Sequence, residues 1–553
     1  MRKIFLTACV AAVGTPAFAD LSAEDVLADH LNMLSGYGLM DVTADGLTTT
    51  TSGLTVESFT GTYSDDEATV QFVLGGIDLV EQPDGSVHVI YPERLPLAIS
   101  TTPPADGLEA MEMIIALSGA THMVSGSTAD LTHEVSFDEI SFSEFTFTPE
   151  IEADEAEFDG EFSLSGGQAE IRFRDDPEAR DIQFALERMG LDVKGTGPIE
   201  LDVELGGTDI DKTAPGTIEG AIELTRLTGA VGYASGDTPR HTLELALDGL
   251  TWDQTIVAPQ DDTDILFDMA ISDVDVSYDV QVSLADLEEA PADAIRAGQY
   301  ARANASIAEF GYTFSGDTPE GKMSGNASSM DSVAEFGLDR NGFRYAGSAG
   351  ATDAKFSLPN LPDIPISEFG YSIAKTAAEI AFPVIPADVA QDFVLRLAFL
   401  GLSTEDSAWN LFDPGAQLSR APIDLEIDVE GTTILTSDLT DGGDLPLAET
   451  EARLNKLRLS AVGTELTGSG SIRDTGSTPD QPKGEGQLNL MLVGGHTLLD
   501  TLVGMGLLPE DQAMGARMAL GIFARPGDGA DTLVSEIILN DDGTILANGQ
   551  RIK

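Results

Sequence analysis

The sequence predicts a mainly β protein: large, elongated, twisted, mostly antiparallel sheets with a few short helices near the N-terminus, in mid-chain and near the C-terminus. Three observations carry that expectation. Aliphatic and acidic residues alternate in Ile199-Glu200-Leu201-Asp202-Val203-Glu204-Leu205, in Ile423-Asp424-Leu425-Glu426-Ile427-Asp428-Val429-Glu430, and in Val274-Asp275-Val276-Ser277-Tyr278-Asp279-Val280-Gln281-Val282. Successive strand side chains point to opposite faces, so each run has one apolar face and one anionic face. Gly, Asp and Pro turns separate the runs. Hydrophobic residues make up 42% of the 553, and their periodicity argues for a folded chain despite the charge.

The N-terminus reads as a signal peptide. Arg2 and Lys3 precede the short apolar run 4–13, and Ala17-Phe18-Ala19 is an A-x-A cleavage site before Asp20. The run is too short to span a bilayer, and the expected mature chain has no transmembrane segment. Leu6-Thr7-Ala8-Cys9 has the pattern of a lipoprotein box. Lipidation at Cys9 would leave only Ile4 to Ala8 as apolar core, so cleavage between Ala19 and Asp20 is favoured. The expected location is the periplasm of a Gram-negative cell. Cys9 is the only cysteine, so the mature chain would have no disulfide and no cysteine chemistry.

Asp plus Glu number 94 against 29 Lys plus Arg, a net charge of -65. Removing Arg2 and Lys3 with the signal gives 27 - 94 = -67. Such a field repels nucleic acid and anionic headgroups. The acids read chiefly as a solvated face; a loose cation atmosphere and docking to a basic partner are the other readings.

Along the chain, Ser22 caps a first helix over residues 23–35, with Asp25 in capping-box position and Gly36 as its stop. Strands follow at 54–63, 68–74, 77–80, 87–91 and 95–100, with a turn at Gln82-Pro83-Asp84-Gly85-Ser86. A short helix is expected at 108–117, strands at 135–148, 157–164 and 169–173, and a helix from Asp176-Pro177-Glu178 to Gly190. Strands return at 199–205, 217–225, 242–248 and 265–284. A helix near 285–303, broken or kinked at Pro291, would divide the chain into halves 20–290 and 291–553, two domains or one continuous domain. Gly232-Tyr233-Ala234-Ser235-Gly236-Asp237-Thr238-Pro239 recurs with one insertion at 311–319, which reads as repeated hairpin chemistry. Later come a strand at 393–402, a short helix capped by Ser403 with Asp406, a strand at 487–493, helices at 497–505 and 509–523, and a final hairpin of 533–539 with 544–547.

Motifs for known chemistry are missing. There is no G-x-S-x-G, P-loop, G-x-G-x-x-G or H-E-x-x-H. His30, His88, His122, His133, His241 and His496 have no metal-ligand spacing, and the acidic clusters do not match a calcium loop. No catalytic, cofactor or metal residue is assigned.

Trp409-Asn410-Leu411-Phe412-Asp413-Pro414, followed by Arg420-Ala421-Pro422, resembles an uncharacterised family of secreted alphaproteobacterial proteins, domain of unknown function 2125. The ending that contains Asn548-Gly549 is similar to that family's strand-turn-strand finish, and Val89-Ile90-Tyr91-Pro92 to one of its strand ends. The family has no established activity, so the resemblance assigns no catalytic residue. More loosely, the repeated strands resemble AsmA-like periplasmic proteins, which implies an apolar groove and a role in envelope lipid homeostasis.

A one-sided sheet must cover its apolar face with a second layer, helices or a ligand, and the expected helices are too few. The expectation is therefore a non-enzymatic binding or scaffold protein with an apolar groove for lipid or another hydrophobic ligand. The alternatives are a closed β scaffold docking an envelope protein through its acidic surface, and a hydrolase using an Asp/Glu pair.

Overall fold

A computed structural model of the chain describes residues 21–35, 40–64, 68–105, 108–148, 157–175, 178–202, 211–258, 263–318, 321–359, 367–437, 447–474 and 483–552. The protein is mainly β, with antiparallel pairing and six short helices among these residues. The first expected alternation lies partly outside them, as do Cys9, Ala19, Asp20 and Gly36.

Two compact units emerge: 1–150 with 165–182, and 151–164 with 183–553. The first opens with α1 (Ala23–Leu34). Ser22 Oγ accepts from the Asp25 amide at 3.2 Å, and Asp25 Oδ2 accepts from the Ser22 amide at 3.1 Å, the capping box expected from sequence. After α1 come β1 (Asp41–Asp45), β2 (Thr48–Thr50), β3 (Gly53–Ser64), β4 (Thr69–Glu81), β5 (Val87–Ile90), β6 (Arg94–Ala105), β7 (Leu108–Ser118), β8 (Thr121–Ser127) and β9 (Asp130–Thr148). The β4–β5 turn forms as expected. Gly85 is left-handed at φ 86° and its amide donates to the Gln82 carbonyl at 3.0 Å.

This unit holds a closed core. Val26 and Leu27 of α1 meet Val56 and Phe59 of β3, Ile77 and Leu79 of β4, Val87 and Val89 of β5, and Val124 of β8. Burial of that apolar surface against the helix is the main force holding α1 down.

β10 (Glu157–Asp175) and β11 (Glu178–Asp202) supply residues to both units. The second unit continues with β12 (Asp211–Ala234), β13 (Arg240–Ala258), β14 (Thr263–Gln281), α2 (Leu284–Glu289), α3 (Pro291–Ala297), β15 (Tyr300–Thr318) and β16 (Gly321–Asp339). Next are β17 (Gly342–Ala349), β18 (Thr352–Ser357), β19 (Glu368–Ile373), β20 (Lys375–Phe382), β21 (Gln391–Thr404), α4 (Asp406–Trp409), β22 (Ile423–Leu435), β23 (Leu447–Ala461), β24 (Thr464–Asp474) and β25 (Gly484–Val493). The chain finishes with α5 (Gly495–Gly504), α6 (Glu510–Phe523), β26 (Arg525–Pro526), β27 (Thr532–Leu539), β28 (Ile545–Ala547) and β29 (Gln550–Arg551). Sequential strands pair antiparallel from β12 through β16 and from β20 through β25.

Several expectations are corrected. Residues 108–117 form β7, not a helix, because β6 and β9 flank them and satisfy their backbone on both sides. The stretch that opens at Asp176 is likewise strand β11 from Glu178, not a helix. Tertiary pairing overrides helix-like spacing in both. The helix expected at 285–303 is two short helices, with Pro291 opening the second. Gln281 of β14 pairs with Tyr300 of β15 directly across them, and the two compact units exchange chain between 150 and 183. Ser403 belongs to β21 and meets the Ser372 hydroxyl at 2.6 Å; Glu405, not Ser403, precedes α4. Pro509 is the N-cap of α6, one position before its first turn.

Candidate functional site

In the first unit the core contains an unusual polar seam. The β8–β9 hairpin pairs His122 with Val135 and Val124 with His133, which puts the two histidines diagonally on one face. α1 lies against the same core and supplies Asp29 and His30. Tyr91 follows β5 directly.

These groups form a chain. Tyr91 Oη is 2.9 Å from His122 Nδ1, and His122 Nε2 is 3.0 Å from His133 Nδ1. His133 Nε2 is 3.0 Å from Asp29 Oδ2. That last contact is an ion-pair distance without hydrogen-bond alignment, so both atoms stay unsatisfied by a directed bond. An ionised carboxylate only accepts, which favours the His133 proton on Nε2. His133 Nδ1 then accepts from His122 Nε2–H, and His122 Nδ1 accepts the Tyr91 hydroxyl proton.

His30 sits beside the chain, with ring centroids 5.7 Å from Phe59 and 6.2 Å from His122. Its Nδ1 is buried without a hydrogen-bond partner. Burial, then the nearby His133, lowers its pKa from 6.5 to about 4. Burial, then His133, His30 and His88, lowers His122 to about 3. Burial raises Tyr91 to about 12. Among the described residues no three His, Cys, Asp or Glu side chains converge as metal ligands. His122 and His133 are 4% and 1% exposed, out of reach of a substrate.

Residue spacing carried no sign of this seam. The signal was the hairpin itself: short runs at 121–127 and 130–135 around the two-residue turn Thr128-Ala129. Starting the second strand at Val135 hid it.

In the second unit, β12 to β16 gather most of their large apolar side chains on one face. It carries the rows Ile222–Trp252–Met269–Tyr312 and Leu224–Leu250–Ile271–Phe310. Beyond a crease through Arg226, Asp248, Asp273, Ala308 and Asp331 it continues as Leu227–Leu247–Val274–Ile307 and Val231–Leu243–Tyr278–Ala303–Phe336. Arg226, Asp273 and Asp331 are left-handed at φ 45°, 48° and 49°. A left-handed residue interrupts strand alternation, and the apolar positions shift by one there, as they must to stay on one face. Of these aliphatic and aromatic side chains, Leu224 alone is buried. Helix packing in this unit is chiefly α2 on α3, α5 on α6 and α4 on β19.

The opposite face carries paired charge. Arg396 reaches Glu379 at 2.7 Å and Asp428 at 3.3 Å, and Arg458 reaches Asp424 and Glu465, both at 2.9 Å. Asp253 stands directly opposite Asp268, and burial, then the Asp268 side chain, raises its pKa above the usual carboxylate value.

No family model, curated protein or solved structure matches this chain.

The residues singled out at 409–422 form a loop clamp. Trp409 is buried at the end of α4. Asp413 accepts from the Gln417 amide at 2.9 Å and the Leu418 amide at 2.8 Å, bonds that hold its carboxyl below the usual range. Arg420 pairs with Asp406 and donates to Asn410 Oδ1 at 3.1 Å and the Asp413 carbonyl at 3.2 Å. Pro414 lies within the clamp and Pro422 directly precedes β22. Asn548 and Gly549 make the two-residue turn between β28 and β29, with φ 50° and 81°, as a type I′ hairpin requires. These residues shape backbone and present no reactive group to a cleft.

Proposed function

We propose that the protein is an exported binding scaffold of the cell envelope, whose second unit holds the apolar chains of a lipid-like amphiphile along its aliphatic face. The observation that carries this reading is the set of in-register apolar rows on β12 to β16, left half-buried without an extended helical layer among the described residues. Half-exposed apolar rows favour an apolar occupant over water. The expected signal peptide and Ala19/Asp20 cleavage support an envelope setting. No helix among the described residues is long and apolar enough to cross a membrane.

Trp252 supplies the test, since it lies on this face and the chain has 2 tryptophans. In a Trp409→Phe variant, a fatty acid carrying a nitroxide on its chain should quench Trp252 saturably, and unlabelled fatty acid should reverse the quenching. Unaltered Trp252 emission over the same titration of delipidated protein would sink the proposal.

A further inference from the structure

The buried seam of the first unit points to a second property, independent of lipid binding. We propose that the Asp29–His133–His122–Tyr91 chain, with His30 beside it, is an acid-operated latch that holds α1 on its sheet and releases it when the histidines take up protons.

The geometry limits how many protons the seam can hold. His122 Nε2 and His133 Nδ1 face each other at 3.0 Å across one shared hydrogen. One added proton can be accommodated on His122 Nδ1, with the Tyr91 hydroxyl turning from donor to acceptor. A second, on His133 Nδ1, sets two N–H groups and two positive charges against each other. The hydrogen bond is then lost and the rings must separate. His30 has an unpartnered Nδ1 in the same core; protonating it buries a cation with no directed acceptor.

α1, β4, β5, β8 and β9 bring the titratable groups of this balance. α1 brings Asp29 and His30. β4 brings Glu81, whose Oε1 accepts from the Ala23 amide at 3.0 Å and so ties down the start of α1. β5 brings His88, with Tyr91 just beyond it; β8 brings His122 and β9 His133. β3 and β10 face the seam with Phe59 and Phe173, which carry no charge. Among the described residues Asp29 is the acid in contact with a seam histidine, and one carboxylate cannot balance more than one imidazolium charge.

Opening exposes His30 and His122 to water, where they protonate at their ordinary pKa. Closed, His30 and His122 resist protonation down to about 4 and about 3. Between about 6.5 and those values the open form binds more protons, so acid favours opening. Each such histidine raises the opening equilibrium about tenfold per pH unit, and the two together about a hundredfold. Release of α1 opens the core it shares with Val56, Phe59, Leu79, Val89 and Val124.

Hydrogen exchange of the full mature chain from pH 7 to pH 3, corrected for the intrinsic pH dependence of exchange, tests this. Amides of α1 should lose protection steeply between pH 6 and 4, with the second unit still protected. A His30→Phe/His122→Gln/His133→Gln variant should flatten that dependence. If α1 stays protected throughout, or loses protection only together with the whole chain, the latch is wrong. The wild-type profile gives that answer even if the triple variant fails to fold.

Discussion

Arg396 of β21 donates to Glu379 of β20 at 2.7 Å while facing Asp428 of β22 at 3.3 Å and Glu430 at 3.8 Å. One guanidinium thus bridges three strands on the charged face of the second unit. The alternating acids at 424–430, read from sequence as a solvated face, are partly paired with bases on both neighbouring strands. Side-chain bonds from Arg396 and Arg344 lower the Glu379 pKa. Glu379→Gln should cost roughly 1 kcal/mol in low salt, and less in high salt, because exposed pairs are screened. Thermal unfolding at two ionic strengths checks it; an equal loss in both would show that packing, not charge, is at stake.

Gly325 lies directly opposite Phe314 on one side and Phe356 on the other. An added Cβ there would run into both rings. Gly325→Val should therefore destabilise the second unit by about 1–3 kcal/mol through overpacking. Gly337→Ala, where the same added atom meets nothing within 4 Å, is the control and should stay close to wild type in urea unfolding.

The buried His30 makes the first unit sensitive to acid. Its folded pKa of about 4 lies below the ordinary 6.5, so between those values the unfolded state holds a proton that the folded state refuses. Stability should fall as pH drops through that window and level off below it, by ~3 kcal/mol in all. His30→Phe, placed among Phe59 and Tyr91, should remove that portion of the pH dependence. Denaturant titrations of the variant and wild type at pH 7.5 and 4.5 should differ accordingly; parallel behaviour would mean His30 does not control the unit.

Asn548 secures the terminal hairpin by two means. Its backbone is left-handed, and its side chain accepts from the Glu536 amide at 3.0 Å and donates to the Phe523 carbonyl at 3.0 Å. Asn548→Ala should cost about 1–3 kcal/mol from both causes. Asn548→Gly keeps the backbone freedom and should cost less. Hydrogen exchange at Ile537 and Leu539, which pair with β28, separates the two; equal losses would assign the whole effect to the side-chain bonds.

Legibility followed how local each signal was. The α1 capping box, the Gly85 turn, β25 and the Asn548–Gly549 hairpin were readable because their determinants lie within a few residues. β7 was misread because Met111, Ile114 and Ile115 suit a helix face as well as a strand, and only β6 and β9 resolve the ambiguity. The histidine seam was invisible because residues 29–30, 91, 122 and 133 meet through the register of one hairpin and the docking of one helix.

By itself, the sequence determined that this is a β protein with one aliphatic and one charged face per strand, since side-chain alternation is a property of each strand alone. Tertiary structure decided the rest. Pairing register aligned those strands into continuous apolar rows, and it made a bridge of Arg396. It also brought Asp29, His30, Tyr91, His122 and His133 into one core, where burial lowers the pKa of His30 and His122 and raises that of Tyr91. Register and burial depend on residues far apart in the chain, and no local pattern encodes the distance between them.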